Sequence, residues 1–160
     1  MRGWWGRIVP VSEHQKRAHN TNLLLYHLVC PAKRRKNVFL PEVEAELKNV
    51  CLEIGECYEM IFVEIGSDSD HVHFLIQSIP PHSPTKIATI VKSITAKKLL
   101  AKFPWIKQET LGSSLWTSGY YISTVGAHGN ETVISNYVKN QGKSYTQLHR
   151  TTVGLFDGLT

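Results

Sequence analysis

The sequence predicts an α+β domain of the split βαβ type: a four-stranded antiparallel sheet with helices packed on one of its faces. Three observations predict it. Short apolar runs have the length and β-branched content of strands, two longer stretches repeat their apolar residues at helical spacing, and the two kinds alternate in a fixed order along the chain. At 160 residues the chain suits one domain with its own core, and 42% apolar residues marks a globular rather than a disordered sequence.

Residues 1–19 show little periodicity and read as an N-terminal arm, ahead of a domain spanning 20–149 and a C-terminal tail over 150–160. The first strand is the run NLLLYHLVC at 22–30, followed by the basic cluster Lys33, Arg34, Arg35 and Lys36. Pro41 takes the first position of a helix, where its missing N–H costs nothing. Val43, Leu47, Val50, Cys51, Ile54 and Tyr58 then form its buried stripe. Residues 60–65 are a second strand, 66–70 (GSDSD) a turn, and 71–78 a third strand closing a hairpin. Ser83 caps a second helix with Pro84 at its first position. Ile87, Ile90, Val91, Ile94 and Leu99 line its apolar side, with Lys86, Lys92, Lys97, Lys98 and Lys102 mostly outside it. Residues 120–125 (YYISTV) are the fourth strand. Asn130 starts a last helix that carries Tyr137 and Gln141 and ends at Gly142. The order is that of a ferredoxin-like sheet with an added C-terminal helix bearing the tyrosine, an architecture that hosts many chemistries and names none.

The charge balance is moderately basic, 18 Lys and Arg against 13 Asp and Glu, for a net +5 and a pI near 9.2. That suits a polyanionic partner without requiring one. The three cysteines, Cys30, Cys51 and Cys57, form no CxxC pair and no even disulfide framework, and Cys51 and Cys57 read as reduced core residues. No leader-like apolar segment or membrane-length run is present, so the expectation is a soluble cytoplasmic protein.

Three groups of residues carry candidate chemistry. In a strand, side chains alternate faces, so His71, His73, Leu75 and Gln77 share one side and Val72, Phe74 and Ile76 the other. The second set is the more apolar and should meet the helices, which leaves two imidazoles side by side on an open face, spaced for one metal ion. With 8 histidines in 160 residues the H-x-H spacing arises by chance about 0.4 times per chain, so its place in a central strand matters more than the motif. Tyr137 and Gln141, four apart on a helix, share a face; a tyrosine there is more often a half-buried packing residue than a nucleophile, while a Gln amide oxygen can meet a hard cation. The basic cluster 33–36 and the lysines of the second helix could neutralise phosphates, and Trp105, Trp116, Tyr120 and Tyr121 could stack on bases or serve as packing residues.

Taken in order, these pieces resemble the single-tyrosine HUH transposases of insertion sequences. The matching segments are YHLVCPAKRRK, Asp70-His71-Val72-His73-Phe74-Leu75, the run Leu115 to Tyr120 leading into 122–126, and Tyr137-Val138-Lys139-Asn140-Gln141. The resemblance implies Tyr137 as nucleophile, His71, His73 and Gln141 as ligands of a divalent ion (Mg²⁺ or Mn²⁺), and the cluster 33–36 as a DNA contact. It also implies single-stranded DNA with hairpins at the element ends as substrate, and a homodimer in which Tyr137 can act in trans. Two other readings compete: a domesticated, non-catalytic DNA-binding descendant on the same fold, and a metal-binding protein unrelated to DNA. The first would not need all four active-site positions filled; the second leaves Tyr137, Gln141 and the basic cluster without a role.

Overall fold

The computed structural model describes residues 15–17, 20–22, 24–112, 114–125 and 145–150. Two short strands, β1 (Gln15–Arg17) and β2 (Asn20–Asn22), pair with each other across the boundary expected between arm and domain. The main sheet is built from β3 (Leu24–Pro31), β4 (Ile61–Asp68), β5 (His71–Ser78), β6 (Tyr121–Thr124) and β7 (Thr146–Arg150), in the spatial order β6-β3-β5-β4-β7. All neighbours run antiparallel. Its first four members follow the split βαβ order. The expected sheet of four strands is therefore corrected to five among the described residues, with β7 added along β4.

Helices α1 (Pro41–Tyr58) and α2 (Pro84–Lys102) pack on one side of this sheet, and a short α3 (Trp105–Glu109) follows α2. α1 buries Val43, Leu47, Val50, Cys51 and Ile54, while Tyr58, placed on the same stripe by its spacing, is largely exposed at the helix end. Pro41 opens the helix with Glu42 and Glu44 in its first turn, where carboxylates favour the positive end of the helix dipole. In α2 the Ser83 hydroxyl accepts from the Lys86 amide at 3.1 Å, and Pro84 occupies the first helical position. Ile87, Ala88, Ile90, Val91 and Leu99 meet Leu28, Cys30, Phe62, Ile65, Val72, Phe74 and Ile76 of the sheet in one core. Cys30 and Cys51 lie in it, whereas Cys57 is only half-buried.

Several residues with open roles in the sequence settle into the frame. Trp116 is buried, its Nε1 donating to Thr95 Oγ1 at 2.9 Å and its ring stacked on Phe39. It is a packing residue, not a base platform. Lys92 reaches back from α2 to the carbonyl oxygens of Thr117 and Ser118, 2.8 and 3.1 Å away, and pins the chain leading into β6. The strand expected over 60–65 runs on to Asp68, so the turn shortens to Ser69 and Asp70. The predicted last helix, with Asn130, Tyr137, Gln141 and Gly142, falls outside the described residues.

A bulge in β4 decides which of its side chains face where. Its register against β5 shifts between Phe62 and Glu64, so Val63 is the extra residue. Phe62 and Ile65 both stay in the core, and Ser67 points to the helices, where its hydroxyl donates to Glu44 Oε1 at 3.1 Å. Glu64, Gly66 and Asp68 consequently stand on the face away from the helices. Glu64 is fully buried there and is satisfied by β7 and the residue before it: Arg150 donates to it through Nε and Nη2 at 2.8 and 3.3 Å, and the Tyr145 hydroxyl at 2.9 Å. The Tyr145 ring lies directly over Gly66, in the space a Cβ would fill. Gly66→Ala should therefore push β7 off the sheet edge and cost about 1–3 kcal/mol, as overpacking does; a lowered urea midpoint with faster amide exchange over 146–150 is the expected result.

Candidate metal centre

The face of the sheet away from the helices gathers the polar chemistry. Val72, Phe74 and Ile76 belong to the core, so the alternation of β5 sends His71 and His73 to the other side, as their spacing predicts. That face is less open than expected, for Leu75 and Gln77 are fully buried and His73 is only 7% exposed. A third histidine joins them. β3 pairs His27 with Leu75 and Val29 with His73, which sets His27 diagonally across from His73. Its Nε2 lies 3.2 Å from His73 Nδ1, one ring donating to the other, and the two rings stack at 5.5 Å between centroids. His27 does not stand out in the sequence because it sits inside an apolar run. The available signal was its parity, two residues from Leu25 and from Val29 on the face of His73.

His71 is held from the opposite end. Its Nδ1 lies 2.7 Å from Asp70 Oδ1, and Asp70 Oδ2 accepts from Arg35 Nε at 2.8 Å. Burial alone would raise the Asp70 carboxyl, but the hydrogen bonds from His71 and Arg35 and the charge on Arg35 outweigh it and hold it below its usual range. The basic cluster is thus tied to the histidine strand, a link made closer by the Ala32 amide donating to the Asp70 carbonyl at 2.7 Å. Arg34 and Lys36 are exposed, Lys33 is half-buried, and Arg35 divides its charge between solvent and Asp70. Arg34 and Arg35 both adopt positive φ, 58° and 54°, in the tight turn that makes this docking possible.

The protonation states suit metal binding. Burial pushes His27 down to about 4. Burial, reinforced by the charges of His71 and His27, pushes His73 down to about 3. Both are neutral imidazoles at neutral pH, the form that ligates. With Nδ1 of His73 engaged by His27 and Nδ1 of His71 by Asp70, the Nε2 atoms are left to face a ligand. His73 Nε2 is buried with no hydrogen-bond partner among the described residues. Ligand atoms of Asp68, His71 and His73 all lie within 4.8 Å of one another. The residues present therefore fit a divalent ion: an orphaned imidazole nitrogen, a second imidazole oriented by a carboxylate, and a third donor beside them. Tyr137 and Gln141, the other expected active-site residues, lie outside the described residues. Tyr121 stands 58% exposed at this face, its ring edge-on to His27 at 6.0 Å.

Fold and centre together define a split βαβ domain with a cation-donor cluster on its central hairpin. The family described as IS200-like transposases matches residues 20–141. The chain is 27% identical over 118 residues to the ISDra2 transposase TnpA of Deinococcus radiodurans, covering 74% of this chain and 84% of that protein. It is 25% identical over 131 residues to the transposase of insertion sequence IS200 from Salmonella typhimurium, covering 82% and 85%. A crystal structure described as a transposase from Deinococcus radiodurans superposes with a TM-score of 0.65 at 29% identity, over 79% of this chain and 97% of that one. The chain belongs to the IS200-like transposase family and is a DNA transposase.

One pH dependence follows from the two depressed histidines. The folded chain keeps His27 and His73 neutral down to about 4 and about 3, whereas the unfolded chain protonates both near its ordinary value of about 6.5. Below that point the unfolded chain binds more protons, so stability is full above it and falls as the pH drops toward 4 and then 3. Urea midpoints of the metal-free protein should decline across this window, and His27→Gln should make the decline shallower.

Proposed function

We propose that the protein transposes its element by cutting and rejoining single-stranded DNA through Tyr137, with Mg²⁺ or Mn²⁺ held by His71 and His73 and with Gln141 as a further donor. The Tyr137 hydroxyl attacks a backbone phosphorus: the Oη–P bond forms, the P–O3′ bond breaks, and the departing oxygen takes a proton to become a 3′-OH. The 5′-phosphotyrosine conserves the phosphodiester bond energy, so the reverse attack by a 3′-OH rejoins strands without ATP. An ordinary tyrosine, with a pKa near 10, is a weak nucleophile at neutral pH. A divalent ion, when bound, polarises the phosphate and offsets the charge that builds up on it. His27 and Asp70 orient the two histidine rings, and the basic residues 33–36 offer charge to flanking phosphates. Tyr121, exposed beside His27, offers a ring on which an unpaired base can stack.

The observation that carries this reading is the buried His73 Nε2, without a hydrogen-bond partner among the described residues, on a residue whose ligand atom clusters with those of His71 and Asp68 in a chain of this family. One nucleophile per chain against two strands to be exchanged calls for two subunits, so we further infer a homodimer, with Tyr137 able to serve the partner's metal centre. Hairpins near the element ends are the inferred recognition feature, since a single strand otherwise offers little fixed shape.

Incubating the protein with labelled single strands from the DNA flanking its gene, plus Mg²⁺ or Mn²⁺, tests the reading. Wild-type protein should give an SDS-resistant adduct, Tyr137→Phe should bind the strand but give none, and His71→Ala should lose the metal-stimulated part of cleavage. An adduct with Tyr137→Phe removes Tyr137 as nucleophile; strand binding without any adduct leaves a DNA-binding role alone. The exposed members of the basic cluster should show in salt titrations. Arg34→Ala is expected to lower affinity for all sequences alike and to reduce the slope of log K against log salt by about 0.7, the single-strand value for one phosphate contact.

A further inference from the structure

The β4–β5 hairpin carries a donor that neither the spacing of the histidines nor the family resemblance pointed to. Asp68 is the last residue of β4 and pairs in register with His71, the first of β5. The bulge at Val63 brings it to this face; without the extra residue its side chain would point to the helices. One carboxylate oxygen, Oδ1, accepts from the Ser69 amide at 2.8 Å, which fixes the group at the turn. The other, Oδ2, lies 3.8 Å from His71 Nε2, the nitrogen that Asp70 leaves available. His73 offers a ligand atom within 4.8 Å of those of both Asp68 and His71, and its buried Nε2 has no hydrogen-bond partner among the described residues.

We propose that Asp68 is a metal ligand, completing with His71 and His73 a two-histidine, one-carboxylate set carried on a single hairpin. The inference rests on the metal-dependent reading above and assigns its third donor. Charge favours it. Mg²⁺ and Mn²⁺ are hard cations that bind carboxylate oxygen well and imidazole poorly, and two neutral rings with a neutral amide would hold them weakly. One carboxylate supplies the missing negative charge, and three donors on one side leave the remaining positions for phosphate oxygens. Retention of the ion then depends on two adjacent strands joined by a two-residue turn and does not depend on Gln141.

The test is a titration of Mn²⁺ into the metal-free full-length protein, following the free-ion EPR signal. Wild type, Asp68→Asn, Gln141→Ala and His73→Ala are compared, each checked for fold by circular dichroism. Asn keeps the size of Asp and the oxygen that accepts from Ser69; should that variant not fold, Asp68→Ser retains a hydroxyl acceptor at the turn and takes its place. Expected are one tight site per chain in wild type and a loss of about tenfold or more in Asp68→Asn, since even outer-sphere partners change metal affinity by about 10–100-fold. Gln141→Ala should change it by less than about threefold. Wild-type affinity in Asp68→Asn, with binding lost in Gln141→Ala or His73→Ala, overturns the proposal and leaves the metal-dependent mechanism standing. No uptake by wild type, or uptake unaffected by His73→Ala, removes the metal centre and this proposal with it.

Discussion

The alternation of side chains along β5 is the constraint on which the rest depends. Phe74 sits between Leu28 of β3 and Ile65 of β4, and Val72 and Ile76 extend the same apolar row into the helix layer. A slip of one residue would drive two imidazoles into that layer and bring three large apolar side chains out of it, so the register is strongly specified. The histidines are thus positioned by hydrophobic packing on the reverse side of their own strand. The core is close-packed, and the histidine cluster takes its placement from that packing.

The polar face is organised around that strand in two chains of contact. Arg35, Asp70 and His71 form one; His27 and His73 form the other. Each ends at an imidazole with a ligand atom within 4.8 Å of one on Asp68. Such arrangements fix both ring orientation and tautomer before any ligand arrives, which lowers the reorganisation a bound ion or phosphate demands. Burial of His27 and His73 serves the same end by keeping both rings neutral. A separate cluster, Glu64 with Tyr145 and Arg150, sits one strand over on the same face and holds β7 to the sheet edge.

Features set by local rules were readable in the sequence: Ser83 and Pro84 at the head of α2, Pro41 at the head of α1, and the stripe from Val43 to Ile54 all follow from capping, fixed φ and the 3.6-residue period. The split βαβ order followed from these together with the apolar strand runs, and the facing of His71 and His73 from the two-residue alternation of their strand. What escaped depended on register between distant strands. β7 has a single large apolar residue, Leu148, and is secured by the ion pair of Arg150 with Glu64, which no periodicity reveals. Asp68 sat in a segment whose composition reads as a turn, and only the bulge at Val63 turns it toward the histidines. The contact of His27 with His73 spans 46 positions. Arg35 looked like one of four equivalent cations until the fold set it against Asp70, and Trp116 was open between base platform and packing residue until it was found bonded to Thr95.

β6 and β7 are the two outer strands of the sheet, and the chain between Val125 and Tyr145 joins them. Four strand spacings of about 4.8 Å put those edges roughly 19 Å apart. Tyr137 lies eight positions from Tyr145, and a fully extended chain of that length reaches at most about 26–29 Å. Chain length alone therefore holds Tyr137 within that distance of Tyr145, whose ring is seated over Gly66, 5.9 Å from the His73 ring. In the proposed mechanism this edge strand, though it supplies no donor, sets how far the tyrosine can travel from the histidine cluster.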